Sequence, residues 1–121
     1  MTHTILLVED DKKISMALSL RLQSMGYHVD SAADAVYAMN AAVRCQPAVI
    51  LLDINLPGGS GFVVADRLRA SSQLCTTPII FTTASKDPAL QQKASSYASS
   101  AFLEKPFQAA QLSDLLDRFA A

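Results

Sequence analysis

The sequence predicts an α/β fold in which five strands form a doubly wound parallel sheet. Three short runs are apolar throughout, namely Ile5–Val8, Ala48–Leu52 and Ile79–Phe81. Runs without polar alternation are typical of strands that helices cover on both faces. Helical patterns separate these runs, and short right-handed crossovers between parallel strands then lead to a doubly wound sheet.

Weaker patterns predict the two remaining strands and the first two helices. Tyr27–Val29 and Ala101–Leu103 are predicted as a second strand and an edge strand. Apolar residues recur at helical spacing from Ile14 to Met25, followed by a glycine suited to end a helix. The alanine-rich segment Ala33–Arg44 predicts a second helix, whose apolar side would carry a methionine and two valines: Val36, Met39 and Val43.

Three further helices are predicted in the second half of the chain. Gly61–Ala70 has apolar residues at helical spacing. Asp87 reads as a helix N-cap and Pro88 as the first helical residue, opening a helix that runs to about Tyr97. An apolar stripe over Leu112–Phe119 predicts the last helix. The chain is therefore expected to alternate strand and helix five times.

Length and composition suit a single domain over residues 1–121. Half of the 121 residues are hydrophobic, so a chain of this length can bury one core without disulfides or metals. Ten Lys and Arg oppose eleven Asp and Glu, and the arginines are scattered along the chain. We therefore expect neither nucleic acid nor an anionic membrane as a direct partner of this segment.

Cysteine use and the absence of apolar spans favour a cytoplasmic protein. Cys45 and Cys75 are far apart, without a C-x-x-C pair or companion histidines. Two buried, reduced thiols are the favoured interpretation, and a disulfide is the alternative. We see neither a basic-then-apolar leader nor an apolar stretch that could cross a bilayer.

Polar residues stand at or just after the ends of four of the predicted strands. Glu9–Asp11 follow the first strand, Asp53 the third, Thr83 the fourth and Lys105 the fifth. In this architecture ligands bind at the carboxyl ends of the strands. Four carboxylates at neighbouring strand ends repel one another and are costly to desolvate without a cation. Oxygen ligands at a small, open site suit Mg²⁺.

Each of these residues also has a plain structural interpretation when taken alone. Asp11 stands where a helix begins and is more simply explained as an N-cap. Thr83 fits ordinary strand propensity, and an isolated Lys105 would be solvated. Their shared position at one sheet edge changes the interpretation. The lysine ammonium could pair with an anion at Asp53, and the threonine hydroxyl could donate to a phosphoryl oxygen.

With these residues in place, the sequence resembles the receiver domain of bacterial two-component response regulators over essentially its whole length. Four stretches carry the resemblance, in the order and with the separations typical of that family: Ile5–Asp11, Leu52–Gly58 together with Gly61, Thr82–Ala84, and Lys105–Phe107. The resemblance implies a flavodoxin-like (βα)5 fold with strand order 2-1-3-4-5.

The resemblance also implies a role for each site residue. Asp53 would be the nucleophile that takes a phosphoryl group from a phosphohistidine on a sensor histidine kinase or histidine phosphotransfer protein. Asp10 and Asp53 would bind Mg²⁺ directly together with the backbone carbonyl of Asn55, and Glu9 would act nearby or through water. The protein would not be an enzyme, apart from slow phosphorylation and dephosphorylation of itself.

Three residues would turn the phosphoryl group into a signal, if the resemblance holds. Lys105 would bridge to the phosphoryl group, through a cis bond to the following proline. Thr83 would swing its hydroxyl toward the phosphate, and Phe102 would change rotamer to follow it. The face built from residues 87–97, residues 101–105 and the last helix would then change shape. A downstream protein, an attached output domain or a second copy of the chain could read that change.

The sequence departs from the family pattern at a few positions. Tyr97-Ala98-Ser99-Ser100 replaces the glycine and alanine that often precede the last strand, and Ser60 replaces a frequent acid. Asn55 and Ser85 would border the phosphate and could tune its hydrolysis. None of these changes removes a predicted pocket residue.

Three rival functions stay open at the level of sequence. A phosphatase similar to the haloacid dehalogenase group would need an acid two residues after its nucleophile, where this chain has Asn55. A flavodoxin-like cofactor binder would need a phosphate-binding loop after the first strand, where this chain is acidic. A binding module whose phosphorylation no longer matters would not need the complete pocket.

Overall fold

The architecture follows the predicted alternation of strands and helices. A computed structural model describes residues 3–120, so the predicted single domain over residues 1–121 extends slightly beyond the described part at both ends. The strands are β1 (Thr4–Val8), β2 (His28–Ala32), β3 (Val49–Asp53), β4 (Ile79–Thr83) and β5 (Ser100–Glu104). All pairs of neighbouring strands are parallel, in the order β2-β1-β3-β4-β5. The predicted fold class and strand order are confirmed.

Five helices cover the sheet on both faces. They are α1 (Lys12–Ser24), α2 (Ala35–Cys45), α3 (Gly61–Ala70), α4 (Pro88–Ala94) and α5 (Ala109–Phe119). Residues of α1 and α5 share one core cluster, and residues of α2, α3 and α4 share the other. In β1, Ile5 and Leu7 belong to the first cluster, and Leu6 and Val8 to the second. Successive strand residues point to opposite faces, so both faces need apolar side chains and the runs are uninterrupted.

Helix α2 turns a different side to the core from the one predicted. Its buried residues are alanines: Ala35, Ala38, Ala41 and Ala42. Val36 and Val43 are exposed instead, at 61% and 47% of their surface, and Met39 is half-buried. The two residues before Ala35 lie outside the helix, because Asp34 is its N-cap and accepts a hydrogen bond from the Tyr37 N–H at 2.9 Å. Apolar spacing alone did not show that small side chains let this helix approach the sheet closely.

Helix α4 is shorter than predicted, because it ends at Ala94 rather than near Tyr97. The N–H groups of Ser96 and Tyr97 bond to carbonyls three residues back, those of Lys93 and Ala94, instead of four residues back as in an α-helix. The Ser100 hydroxyl donates to the Tyr97 carbonyl at 2.6 Å and lies 3.0 Å from the Ala94 carbonyl oxygen. This side-chain bond satisfies a carbonyl at the end of the helix that has no helical partner. The predicted start is confirmed, with Asp87 as N-cap and Pro88 as first residue.

The two cysteines are free, but the prediction that both are buried was wrong. Cys45 is half-buried at the end of α2, whereas Cys75 is exposed in the loop that leads to β4. Burial raises the pKa of the Cys45 thiol to about 11, and the nearby Asp30 carboxylate adds to this effect. Over residues 3–120, no helix combines the length and the apolar character needed to span a bilayer.

Candidate functional site

The register of the sheet brings the polar strand ends to one edge. Val8 pairs with Leu52, so the residues that follow β1 lie beside Asp53 at the end of β3. Asp53 pairs in turn with Thr82, the residue before Thr83. The Lys105 N–H donates to the Thr83 carbonyl at 2.8 Å, which continues the pairing of β4 and β5 by one residue. Four strand ends therefore surround one site, as the sequence predicted.

Lys105 joins the two buried carboxylates of this site. Its ammonium group donates to Glu9 Oε1 and to Asp53 Oδ2, the latter at 3.1 Å. Glu9 and Asp53 are only 4% and 5% exposed. Burial acts to lower the pKa of Lys105, but the hydrogen bond to Glu9 and the charge of Asp53 outweigh it, and the net pKa is raised. The lysine therefore stays protonated at neutral pH.

Three carboxylates gather closely enough to hold a cation. Oxygens of Glu9, Asp10 and Asp53 lie within 4.8 Å of one another. One ammonium group faces three carboxylates, so the cluster keeps an excess of negative charge. Asp10 is exposed, and within the described residues its side chain makes no hydrogen bond. An all-oxygen donor set with an open side fits Mg²⁺, which keeps several water ligands.

Backbone groups of the neighbouring loops orient the buried acids. The Asn55 N–H donates to Asp53 Oδ1 at 3.0 Å, and the Asp11 N–H lies 3.3 Å from Glu9 Oε2. Asp11 itself is the N-cap of α1, accepting from the N–H groups of Lys13 and Ile14 at 2.9 and 3.2 Å. The simple interpretation of Asp11 is therefore confirmed.

Gly61, the first residue of α3, packs against the backbone of Asp53 and Ile54. Its N–H donates to the Ile54 carbonyl at 2.7 Å. A Cβ at this position would lie 2.4 Å from the Asp53 carbonyl oxygen and 2.9 Å from Ile54 Cα. Only glycine allows the first turn of α3 to pack this closely against the end of β3. This glycine belongs to one of the stretches that resemble the receiver family, but no sequence pattern revealed how closely it approaches the Asp53 backbone.

Thr83 is fully buried, and its hydroxyl oxygen accepts two hydrogen bonds. The donors are the side-chain amide of Asn55 at 3.1 Å and the N–H of Ser85 at 3.0 Å. The sequence predicted that Asn55 and Ser85 border the site, but it did not predict that both bind this hydroxyl. Spacing alone could not reveal the bond between Asn55 and Thr83, because 28 residues separate them.

Phe102 lies on β5, outside the acidic cluster. It is half-buried, pairs with Phe81 in the sheet register and packs against the core beneath α2, α3 and α4. A cavity of about 110 Å³ between α4 and β5 adjoins it, lined also by Gln91 and Ala94. The Lys105–Pro106 peptide bond is cis, as predicted.

Comparison with known proteins agrees with this architecture. Residues 5–117 match the family model described as the response regulator receiver domain. The structure is similar to that of the chemotaxis protein CheY4 of Vibrio cholerae, with a TM-score of 0.90, 32% identity, and 98% of this chain and 99% of that chain covered.

Two further similarities bear on the site and on the length of the chain. The receiver domain of the sensor histidine kinase PA1611 from Pseudomonas aeruginosa, whose structure has a magnesium ion coordinated in its active-site cleft, aligns with a TM-score of 0.89 and 31% identity, over 98% of each chain.

The DNA-binding transcriptional regulator RpaA of Synechocystis is 37% identical over 105 residues, 85% of this chain and 43% of the relative. The chain thus spans less than half the length of the first curated relatives that it matches. The matched span, the sheet order and the sequence identity together show that this chain belongs to the response regulator receiver domain family.

Proposed function

We propose that this domain is a phosphoacceptor switch that takes a phosphoryl group onto Asp53. The observation that carries the proposal is the contact between Lys105 Nζ and Asp53 Oδ2 at 3.1 Å in a buried acidic cluster. A carboxylate held at a strand end beside a permanent cation is a nucleophile placed next to a charge that stabilises an incoming phosphoryl group.

The proposed donor is a phosphohistidine on a sensor histidine kinase or a histidine phosphotransfer protein. A carboxylate oxygen of Asp53 forms a bond to phosphorus while the bond between phosphorus and the histidine nitrogen breaks. The leaving nitrogen keeps the electron pair of that bond, and the product is an aspartyl phosphate. Such a transfer asks the protein mainly for positioning and charge neutralisation, so no general base is needed.

The residues around Asp53 have distinct proposed tasks. Lys105 exchanges part of its contact with the carboxylates for a contact with the phosphoryl oxygens. Thr83 exchanges its bond from Asn55 for one that it donates to the phosphoryl group. Asp10, Asp53 and the Asn55 backbone carbonyl would hold Mg²⁺, with Glu9 acting nearby or through water, and the cation would supply neutralisation of the charge on the transferring group.

The downstream part of the proposal concerns the face formed by α4, β5 and α5. Movement of Thr83 and Phe102 changes this face, and a partner protein, an output domain or a second copy of the chain binds the altered form. Several curated relatives are transcriptional regulators about twice as long as this chain, which makes an attached output domain one candidate reader. We further propose a cytoplasmic location and only slow self-catalysed phosphorylation and dephosphorylation.

The geometry disfavours the rival enzyme. An aspartyl phosphatase needs an acid two residues beyond the nucleophile, whereas Asn55 stands there and its amide donates to Thr83. That amide cannot supply a proton to a leaving group. A cofactor binder is disfavoured because Glu9 and Asp10, which follow β1, would repel the phosphate of a nucleotide.

Intact-mass spectrometry with a small phosphodonor tests the proposal. The protein incubated with Mg²⁺ and phosphoramidate should gain about 80 Da. Asp53→Asn should abolish the gain. Asp114→Asn, a matched change on the exposed side of α5, should keep it. A parent protein whose mass stays unchanged would overturn the proposal, and steady turnover of a phosphomonoester would favour the phosphatase.

A further inference from the structure

The turn between α4 and β5, residues 95–99, is tied to α3 through Tyr97. The Tyr97 hydroxyl lies 2.6 Å from Asp66 Oδ1 and 3.4 Å from the Phe62 carbonyl oxygen. A hydroxyl has one proton, so the short contact to the carboxylate takes it. Such a charge-assisted bond is about twice as strong as a neutral one.

The Tyr97 ring adds a second contact to the same helix. It stacks on Phe62, with centroids 6.0 Å apart and planes 7° apart, and it meets Phe81 of β4 at 5.3 Å. Lys93 lies on α4 just before the turn, and its ammonium group is 4.6 Å from the centroid of the Phe62 ring. Aromatic pairs of this geometry stabilise beyond their buried area.

Arg69 of α3 ties the same turn independently of Tyr97. Its guanidinium group donates to the carbonyls of Ala98 and Ser99 at 2.7 and 3.3 Å. It also donates to the Thr77 carbonyl at 2.8 Å, just before β4. The backbone of Ser99 has a φ of 53°, so the bonds hold a conformation that serine seldom adopts.

The opposite end of α4 depends on local bonds that begin at Thr83. Thr83 Oγ1 accepts from the Ser85 N–H at 3.0 Å, and Ser85 Oγ accepts from the Asp87 N–H at 3.2 Å. Asp87 Oδ1 accepts in turn from the Ala89 N–H at 3.0 Å, in the first turn of α4. Each bond spans two residues, and the last two are exposed. Displacing the Thr83 hydroxyl breaks the first of them.

We infer that Asp66, Arg69 and Tyr97 form a clasp that holds the α4–β5 turn on α3, so that the switch moves residues 84–94 and leaves residues 95–99 in place. The inference rests on the proposed function for its trigger at Asp53, but the clasp itself exists without phosphate. Moving the turn would break a charge-assisted bond, two guanidinium bonds and the ring contacts. Moving the start of α4 breaks the neutral bond between the Ser85 N–H and Thr83. The other two bonds, including the one to the Asp87 carboxylate, are local and solvent-exposed, so water can replace a lost partner and breaking them costs less.

Residue-resolved amide hydrogen exchange by NMR tests both parts of the inference. In the resting protein, Tyr97→Phe keeps the ring and removes the bond to Asp66. Exchange in residues 95–99 should become about tenfold faster, as expected for the loss of one charge-assisted bond. Tyr37→Phe, a matched change at an exposed tyrosine of α2, should leave that turn unchanged. Equal exchange in the parent and Tyr97→Phe would overturn the clasp.

The second experiment compares the resting parent protein with the protein in Mg²⁺ and beryllofluoride, a phosphoryl mimic. Amide signals of residues 84–94 should shift and change their exchange rates, while those of residues 95–99 stay within error. In the double variant with Tyr97→Phe and Arg69→Lys, the changes should spread into residues 95–99. Equal changes on both sides of Ala94 in the parent would refute the inference.

Failure of the proposed function can be recognised separately. A parent that gains no mass with phosphoramidate and shows no shifts with beryllofluoride refutes the switch at Asp53 and, with it, the confined movement. The comparison of Tyr97→Phe with the resting parent still decides whether the clasp exists.

Discussion

The side-chain amide of Asn55, just after β3, donates a hydrogen bond at 3.1 Å to the hydroxyl oxygen of Thr83, the last residue of β4. The backbone N–H of the same asparagine binds Asp53 Oδ1 at 3.0 Å. One residue therefore contacts both the proposed phosphoacceptor and the proposed switch residue. Under the proposed function this bond belongs to the resting state, because Thr83 would leave Asn55 to reach a phosphoryl group.

Asn55→Ala should favour the switched state. The substitution removes a resting-state bond worth about 1 kcal/mol and keeps the backbone groups at this position. The apparent affinity for beryllofluoride in saturating Mg²⁺ should therefore increase about fivefold, measured by titration of amide chemical shifts. Asn40→Ala, at an exposed asparagine of α2, should not change it. Unchanged or weaker binding by Asn55→Ala would contradict the resting-state role.

Asp10→Asn should stabilise the protein in the absence of magnesium. Asp10 adds an uncompensated negative charge within 4.8 Å of Glu9 and Asp53, so its neutralisation should raise the free energy of unfolding by about 1 kcal/mol in EDTA. The same change should remove most of the stabilisation that Mg²⁺ gives the parent. Urea denaturation with and without Mg²⁺ measures both effects.

The neighbouring Asp11→Asn is the matched control for that experiment. Asparagine keeps the N-cap bonds to Lys13 and Ile14, so magnesium should stabilise this variant as it does the parent. An Asp10→Asn protein that magnesium stabilises normally would show that Asp10 does not bind the cation.

Gly61→Ala should weaken both the fold and the site. The new Cβ would lie 2.4 Å from the Asp53 carbonyl oxygen, and a backbone atom cannot move away as a flexible side chain could. We expect a loss of about 2 kcal/mol in the free energy of unfolding and slower mass gain with phosphoramidate. Gly26→Ala should also lose stability, because Gly26 has a φ of 96°, but it should keep the parent's rate of mass gain. Equal rates in all three proteins would contradict the support of Asp53 by Gly61.

Tyr97 should make the stability of the protein pH-dependent at high pH. Burial first, and then the hydrogen bond to Asp66, raises the pKa of Tyr97 to about 12 from 10.0. Between these values the unfolded chain releases a proton that the folded protein keeps, so stability falls as the pH rises through this window.

Urea denaturation at pH 9 and pH 11 measures this dependence. Tyr97→Phe lacks the proton, so the difference in unfolding free energy between the parent and this variant should become smaller at pH 11. A difference that stays constant over this range would mean that the pKa of Tyr97 is not raised.

The strands and the site acids were predictable because they depend on short-range patterns. Uninterrupted apolar runs locate the buried strands. The residues that follow each run lie at the carboxyl-end edge of the sheet, independently of the conformation of the loops. Asp87 and Pro88 marked the start of α4 correctly for the same reason, since a cap acts within one turn.

Other features could not be predicted, because they depend on packing. The inward side of α2 consists of alanines, while Val36 and Val43 face outward. The end of α4 depends on Ser100, whose hydroxyl donates to the Tyr97 carbonyl and lies close to the Ala94 carbonyl oxygen. Hydrophobicity ranks valine above alanine, but close approach to a sheet favours the smaller side chain.

Local order along the chain thus determined the alternation of strands and helices and placed Glu9, Asp53, Thr83 and Lys105 at or just after strand ends, since apolar periodicity acts over a few residues at a time. Only the tertiary structure decided which distant side chains meet. The pairs Asn55–Thr83 and Asp66–Tyr97 are 28 and 31 residues apart, and their contacts exist because strand register and helix packing bring separate loops within hydrogen-bond distance.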